Sequence, residues 1–392
     1  MQTTRSIPIY ILPAIVFSFF MVTCSWFATN LIVSDLRTVY NLHNGAASDL
    51  ISVVQLGFMV GTFVFAFLNI TDTLSPRFFF LINAICAFFF NLLILFWADS
   101  FWNLMLLRFL TGICMGGIYP AAIKTTASWF DKKVLGKAMG FTVGALALGT
   151  AFPQLLKYLG TTLNYIQVIY VVAGLAFLGG ILMFVFVPNG PYLKKASKFS
   201  FQNIIQVIKV VEYRKSVYGY FGHMWELFAF WQFVPLYLVY YVKMTEYSFS
   251  VPLVSYVVIA FGFVGCIVGG MLSVKSGSKK VAIVNLIASG LLCLISPFFT
   301  QIPVYIFIPL MLLWGWMVLG DSPQFSTLVS NALPPHLIGT GITIMTCIGY
   351  TISILSIQLL KFLYPYITTD YIFTLLFFGP LIGYFSLTKT CK

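Results

Sequence analysis

The chain has 392 residues, of which 60% are hydrophobic and 8% charged, with mean hydropathy +0.96 and formal net charge +12. Soluble domains carry about 25% charged residues, so this composition excludes a soluble protein and leaves a polytopic membrane protein. Twelve spans of about 20 residues use nearly the whole length, which leaves no room for a soluble catalytic domain. The sequence has no Walker-type glycine loop and no extended Ser/His/Asp or metalloprotease signature, so neither ATP-driven pumping nor soluble enzymology is expected.

Apolar stretches begin near residues 8, 48, 78, 102, 137, 165, 217, 250, 281, 303, 338 and 369. The first follows a single arginine, is too long for a signal-peptide core and lacks a small-residue cleavage site, so it is expected to be retained as the first span. With both termini cytoplasmic, the outer segments hold only Arg37, Lys157, Lys243 and Lys361. Seventeen of the 22 Lys and Arg residues fall on the inner side, and Arg108 alone lies inside a span. The positive-inside rule thus accounts for the basic charge as topology, and no nucleic-acid partner is expected.

Between the second and third spans lies Asp72-Thr-Leu-Ser-Pro-Arg77. The fourth carries Arg108, Gly112, Gly116 and Pro120 at intervals of four, with Lys124 a turn beyond, and the fifth carries Gly136, Gly140, Gly144, Gly149 and Pro153. Glycines four apart share a helix face and allow close backbone approach, while Pro120, Pro153 and Pro323 are candidates to bend their helices. A basic linker, 189–216, opens with Asn-Gly-Pro. It continues into a segment with Phe201, Ile204, Ile205, Ile208 and Val211 at helical spacing, as in an amphipathic helix on the inner membrane surface. This divides the chain into an N-terminal six-helix bundle, 1–188, and a C-terminal one, 217–392. Short motifs recur 202 to 203 residues apart: Gly117-Ile-Tyr-Pro120 returns as Gly320-Asp-Ser-Pro323, and the Asp72 loop returns as Val274-Lys-Ser-Gly-Ser-Lys279. Duplicated membrane halves with a site between them are the plan of alternating-access transporters. The cysteines lack disulfide or zinc spacing and read as apolar packers.

The Asp72–Arg77 loop, its degraded second copy and the Arg108 and Gly136 helices resemble the major facilitator superfamily over the whole chain. The resemblance implies an all-α fold of twelve transmembrane helices in two pseudo-symmetric six-helix bundles. It also implies that Asp72 and Arg77 take part in gating; Val274 replaces the acid in the second copy. Gly222-His-Met-Trp-Glu-Leu227 in the seventh span and Asp321-Ser-Pro-Gln-Phe325 in the tenth look like a bacterial branch loosely similar to nitrate and cyanate porters. Nitrate porters bind their anion with arginines on the second and eighth helices, which have none here, so nitrate is disfavoured.

Ionisable side chains at membrane depth mark substrate or ion paths. Arg108 is a candidate to bind an anionic substrate or to hold a carboxylate, against the alternative of an arginine that packs helices. Glu226, roughly 13 Å into the seventh span at 1.5 Å per residue, is a candidate proton carrier or substrate ligand. His223 is three residues away on the same face. A His-x-x-Glu pair without further ligands does not make a metal site, and no cofactor is called for. Lys124 and Asp321 occupy related places in the two repeats and are expected to pair as an inner gate, with Asp321 also a candidate for proton coupling. Trp225, Trp231, Tyr119 and Gln55 are candidates to line the cavity. The expected function is proton-coupled transport of a small solute, an organic anion in the first instance, by a monomer in a bacterial cytoplasmic membrane. Its partners are substrate, protons and the bilayer. An exporter of an amphiphile or siderophore, an uncoupled facilitator and a transporter-like sensor are the rivals.

Overall fold

The computed structural model describes residues 7–28, 45–131, 134–160, 164–193, 201–334 and 336–389, except the side chains of Thr71, Asp72 and Phe201. Among these residues eleven helices are long and apolar enough to cross a membrane. They are α2 (Ala46–Phe67), α3 (Pro76–Trp97), α4 (Phe101–Trp129), α5 (Leu135–Leu159), α6 (Tyr165–Phe186), α7 (Val211–Met244), α8 (Val251–Ser276), α9 (Ser278–Gln301), α10 (Val304–Ala332), α11 (Ile338–Leu363) and α12 (Thr369–Thr388). A shorter apolar helix, α1 (Ile11–Thr23), precedes them, so the expected all-α membrane architecture is the one found.

Local sequence explains several of the boundaries. Ser100 caps α4 by accepting from the Asn103 amide, and Asn164 and Gln167 form a reciprocal capping box at the start of α6. The two copies of the loop motif fold differently. After α2, Asn69 turns left-handed at φ 53° and a four-residue helix, Ile70–Thr73, leads to Pro76 in the first turn of α3. Between α8 and α9 a single residue, Gly277 at φ 83°, makes the whole turn.

Helix 7 starts at Val211, earlier than the 217 expected from hydropathy. Tyr213 explains the extension, because its ring is buried and its hydroxyl donates to the Gly341 carbonyl on α11. The linker contains the expected surface helix at Phe201–Lys209. Ile205 and Ile208 are exposed there, whereas Val207, outside the expected stripe, is the buried anchor. Lys132, Lys133, Lys194, Lys195 and Lys198 lie outside the described residues.

In a bilayer, apolar side chains gain little by leaving lipid for a helix interface, so close packing must hold the helices together. Within the first half α4 lies on α2 and α3, and α6 on α3 and α1; within the second, α7 lies on α11 and α12, and α8 on α10. The halves meet along two seams, α5 with α8 and α2 with α11. Two of these contacts, α2 with α4 and α5 with α8, depend on missing side chains. A Cβ on Gly112 of α4 would overlap the Val54 carbonyl of α2, and one on Gly140 of α5 would stand 2.6 Å from the Cys266 carbonyl of α8. Gly112→Val should therefore force α2 and α4 apart at the expense of several packed layers. Overpacking costs about 1–3 kcal/mol in adaptable cores, and two backbones facing each other place this case at the upper end. The expected result is a clear loss of monodisperse protein after heating in detergent, measured by size-exclusion chromatography.

Candidate functional site

One span is interrupted and another helix ends at Thr23, and each place is held by an ionisable side chain from a neighbouring helix. At the end of helix 1 two consecutive side chains compete with the helical ladder. Thr23 Oγ1 donates to the Phe19 and Phe20 carbonyls, Cys24 Sγ to Phe20, and the following amides of Ser25 and Trp26 bond three residues back. Such back-bonding by small polar side chains bends and ends helices. Arg108 of α4 crosses to this stretch, its Nη2 donating to the carbonyls of Ser25 and Trp26, both at 2.8 Å. Its Nη1 donates to Asn91 Oδ1 at 3.2 Å, and Asn91 is itself oriented by a 2.7 Å bond to the Ala87 carbonyl.

Helix 10 is interrupted at Asp321, between Val304–Gly320 and Ser322–Ala332, with Pro323 in the first turn of the second piece. His223 of α7 meets the break: its Nδ1 lies 2.8 Å from Asp321 Oδ1, with both side chains buried. At that distance ring and carboxyl are in direct polar contact. Tyr220 and Phe325 pack on the imidazole at 5.8 and 5.7 Å. Pro120 and Pro153, by contrast, sit inside continuous helices.

One turn along α7, Glu226 is buried among neutral donors: Ser289 Oγ at 2.9 Å, Trp314 Nε1 at 2.9 Å and Cys293 Sγ at 3.5 Å. Ser289 can rotate its hydroxyl either to donate to a carboxylate or to accept from a carboxylic acid. The same heavy atoms therefore accommodate both protonation states.

Between the halves lies a cluster of rings. Trp26 beyond the end of α1 stacks on Phe228 of α7, with centroids 5.7 Å apart, and contacts Phe58 at 5.2 Å and Tyr350 of α11 at 5.8 Å. Phe58 stacks on Tyr350 at 4.2 Å, and Trp231 meets Phe228 edge-on at 5.2 Å. Tyr119 joins at the edge, 6.1 Å from Phe58. Gln55, one turn from Phe58 on α2, accepts from Ser353 Oγ of α11 at 3.0 Å.

The expected site residues therefore divide. Trp231, Tyr119 and Gln55 come together at or beside this cluster of rings. Trp225 does not: its ring packs on Gly379 of α12 and its Nε1 donates to the Leu375 carbonyl, so it joins α7 to α12. Arg108 and Glu226 each bond within their own half rather than facing one another across the centre. His223 and Glu226 share a helix face but take separate partners. The expected Lys124–Asp321 pair is not formed here, because Asp321 is drawn into the protein by His223 while Lys124 stays half-buried. Arg77 lies over the Phe184 ring at 5.2 Å and donates to the Phe184 carbonyl, within the first half. The Asp72 side chain lies outside the described residues. Among the described residues no group of three His, Cys, Asp or Glu side chains forms a potential metal site.

A polar clasp that the sequence reading missed joins α2, α7 and α11. Lys361 pairs with Asp49, and Gln358 Nε2 lies 2.8 Å from Ser52 Oγ and 3.1 Å from Asp49 Oδ1. Gln232 Nε2 of α7 reaches Ser48 Oγ at 3.5 Å. Gly45, at φ 92°, makes room for it, since a Cβ there would strike the Lys361 stem. One span precedes α2 and one follows α11, so the clasp ties the end of the bundle opposite the two termini. A half-exposed ion pair of this kind is worth about 1 kcal/mol at most. Lys361→Met should accordingly raise the population with this seam parted by up to about fivefold. Maleimide labelling of Cys347, which lies in the same α2–α11 seam against the Met59 carbonyl, followed by peptide mass spectrometry, would show it as faster modification.

Apolar helices long enough to cross a membrane, a broken helix 10 and buried ionisable groups around a central ring cluster describe a multi-pass membrane protein, and its family makes it a transporter. The chain belongs to the Major Facilitator Superfamily, whose sequence profile matches residues 15–357. Its fold is similar to that of the proton:xylose symporter XylE bound to 6-bromo-6-deoxy-D-glucose. The TM-score is 0.73 at 16% identity, over 96% of this chain and 94% of that one. A search of curated protein sequences finds no match.

Proposed function

We propose that the protein is a proton-coupled secondary transporter of a small organic anion, cycling by alternating access. One observation carries the coupling: Glu226 is a fully buried carboxyl held by three neutral donors and no cation, in a chain of a transporter family. Burial of an unpaired carboxylate is costly, whereas the acid form is accommodated by the same partners. A turnover that briefly wets Glu226 would let it release a proton, and reburial would favour taking one up. His223 and Asp321, three residues away along α7 and across the α10 break, are a second pair of titratable groups on the path toward the end that bears the termini.

The proposed rigid bodies are the two six-helix halves, rocking on the α5–α8 and α2–α11 seams. The XylE symporter, similar in fold, moves protons with its sugar, which is compatible with coupling here but says nothing of this substrate. The distribution of Lys and Arg supports a bacterial inner-membrane protein with both termini cytoplasmic, and a monomer is sufficient to form the site.

The test is a ligand screen by thermal shift on the purified chain, followed by flux of the hits into proteoliposomes. A pH gradient should drive accumulation above the external concentration, and a protonophore should abolish it. Equilibration without accumulation would establish a facilitator instead, and ligand binding without flux a sensor.

A further inference from the structure

A buried indole N–H almost always finds an acceptor. In the central ring cluster two do not: Trp26 Nε1 and Trp231 Nε1 are both buried without a partner. Gln55 Nε2, a turn from Phe58, is likewise buried and unmatched, although the other end of that amide is satisfied by Ser353. These three atoms come from α2, α7 and the stretch after α1, and all three are donors. Among the described residues, the Ser25 hydroxyl next to Trp26 and Arg108 Nε behind it are also unmatched. Arg108 gives its hydrogen bonds to amide oxygens and forms no ion pair with a described carboxylate, so its positive charge is uncompensated where it supports the Trp26 backbone.

Donors without acceptors beside a buried cation call for a ligand that brings oxygen lone pairs and negative charge. Rings on both sides, Trp26 and Phe58 from one half and Phe228 and Tyr350 from the other, call for a flat apolar body. A polyhydroxylated solute fits less well, because each hydroxyl needs an acceptor as well as a donor and the nearby carboxyls of Glu226 and Asp321 are already engaged. We infer that the cluster is the closed substrate chamber and that its substrates are flat aromatic carboxylates. This inference rests on the transporter reading above. Binding parts the Trp26 and Phe228 faces, which stack 5.7 Å apart in the closed cluster, to admit the ring, and the carboxylate takes the two indole N–H groups and the Gln55 amide. Binding then satisfies three buried donors and balances Arg108 in one step.

The experiment is equilibrium binding to the purified full chain in detergent at pH 7, with labelled benzoate as the probe and benzamide and benzylamine as competitors. Saturable benzoate binding is expected, with both competitors weaker by roughly tenfold or more. Trp26→Phe and Trp231→Phe keep a ring and lose the N–H, and each should weaken benzoate binding by about tenfold. The competition measurement uses the unaltered chain and so stands even where a variant fails to fold. Absence of saturable binding, or a competitor as strong as benzoate itself, overturns the anion class, and undiminished affinity in both tryptophan variants overturns the chamber. None of these outcomes decides the transport reading, whose flux assay starts from a substrate found by unbiased screening.

Discussion

Replacing Arg108 with Leu should be among the most damaging single changes in the chain. The substitution removes three hydrogen bonds from a charged donor and strands two backbone carbonyls and the Asn91 amide oxygen in the first half. Hydrogen bonds to charged groups contribute about 1.5–3 kcal/mol each, and a buried group left unsatisfied costs about 1–3 kcal/mol. Some of that loss is offset because Leu no longer buries a charge, which leaves an expected net destabilisation of roughly 3–5 kcal/mol. The damage should centre on the end of α1, since the arginine is what holds the Ser25 and Trp26 carbonyls. Arg108→Lys keeps the charge but replaces a planar fork with one point donor. It should recover part of the thermal stability while leaving Trp26 poorly placed. Melting in detergent and tryptophan emission, compared across the two variants, check both statements; equal stability of Arg108→Leu and the parent would show that the clamp is dispensable.

Glu226→Gln is expected to separate coupling from transport. Glutamine keeps the shape and one carbonyl oxygen, which can still accept from Trp314 Nε1, while Ser289 can turn to accept from the new amide. Stability should therefore stay within about 1 kcal/mol of the parent. A group that cannot take up a proton, however, cannot tie a proton to each turnover. Exchange of substrate across the bilayer should persist while accumulation driven by a pH gradient is lost, a fall of up to about tenfold in the steady-state ratio per coupled proton against a tenfold proton gradient. Uphill accumulation retained in Glu226→Gln would move the coupling site elsewhere, and the His223–Asp321 pair is where Asp321→Asn should then have the effect.

The helical architecture was legible because a bilayer imposes a long apolar run on every span, and such runs stand out in a chain with so few charges. The membrane-buried ionisable groups were legible for the same reason: Arg108, His223, Glu226 and Asp321 are conspicuous against their surroundings. Their partners were not. Arg108 is a candidate substrate ligand, carboxylate holder or helix packer by sequence, and two of its three acceptors are backbone carbonyls, which every residue carries and no side-chain pattern reveals. A local signal for the end of α1 did exist in the pair Thr23-Cys24, whose small polar side chains bond back to the preceding turn. The prolines drew attention instead, and two of them lie in unbroken helices. Asp321 was assigned to Lys124 by the symmetry of the repeats. The structure pairs it with His223 because the α10 interruption turns it toward α7. Trp225 and Trp231, six residues apart on α7, look alike in sequence, yet they occupy different faces and only Trp231 reaches the centre. The clasp was missed because Asp49, Gln358 and Lys361 sit at helix ends, where polar residues are ordinary.

The seam between α5 and α8 has a kinetic meaning. A Cβ on Gly140 would lie 2.6 Å from the Cys266 carbonyl, and one on Gly270 would lie 2.6 Å from the Gly136 carbonyl, so main chain rides directly on main chain. At those two positions the bearing has no rotamers to reset as one half turns against the other, although Phe141 meets Phe263 elsewhere in the seam, and the main-chain contacts it trades are carbonyl-to-Cα hydrogen contacts worth about 0.5–1 kcal/mol each. Friction in the cycle should then come from the opposite seam and from the centre, where stacked rings and the Asp49–Lys361 clasp must part before the chamber can change sides.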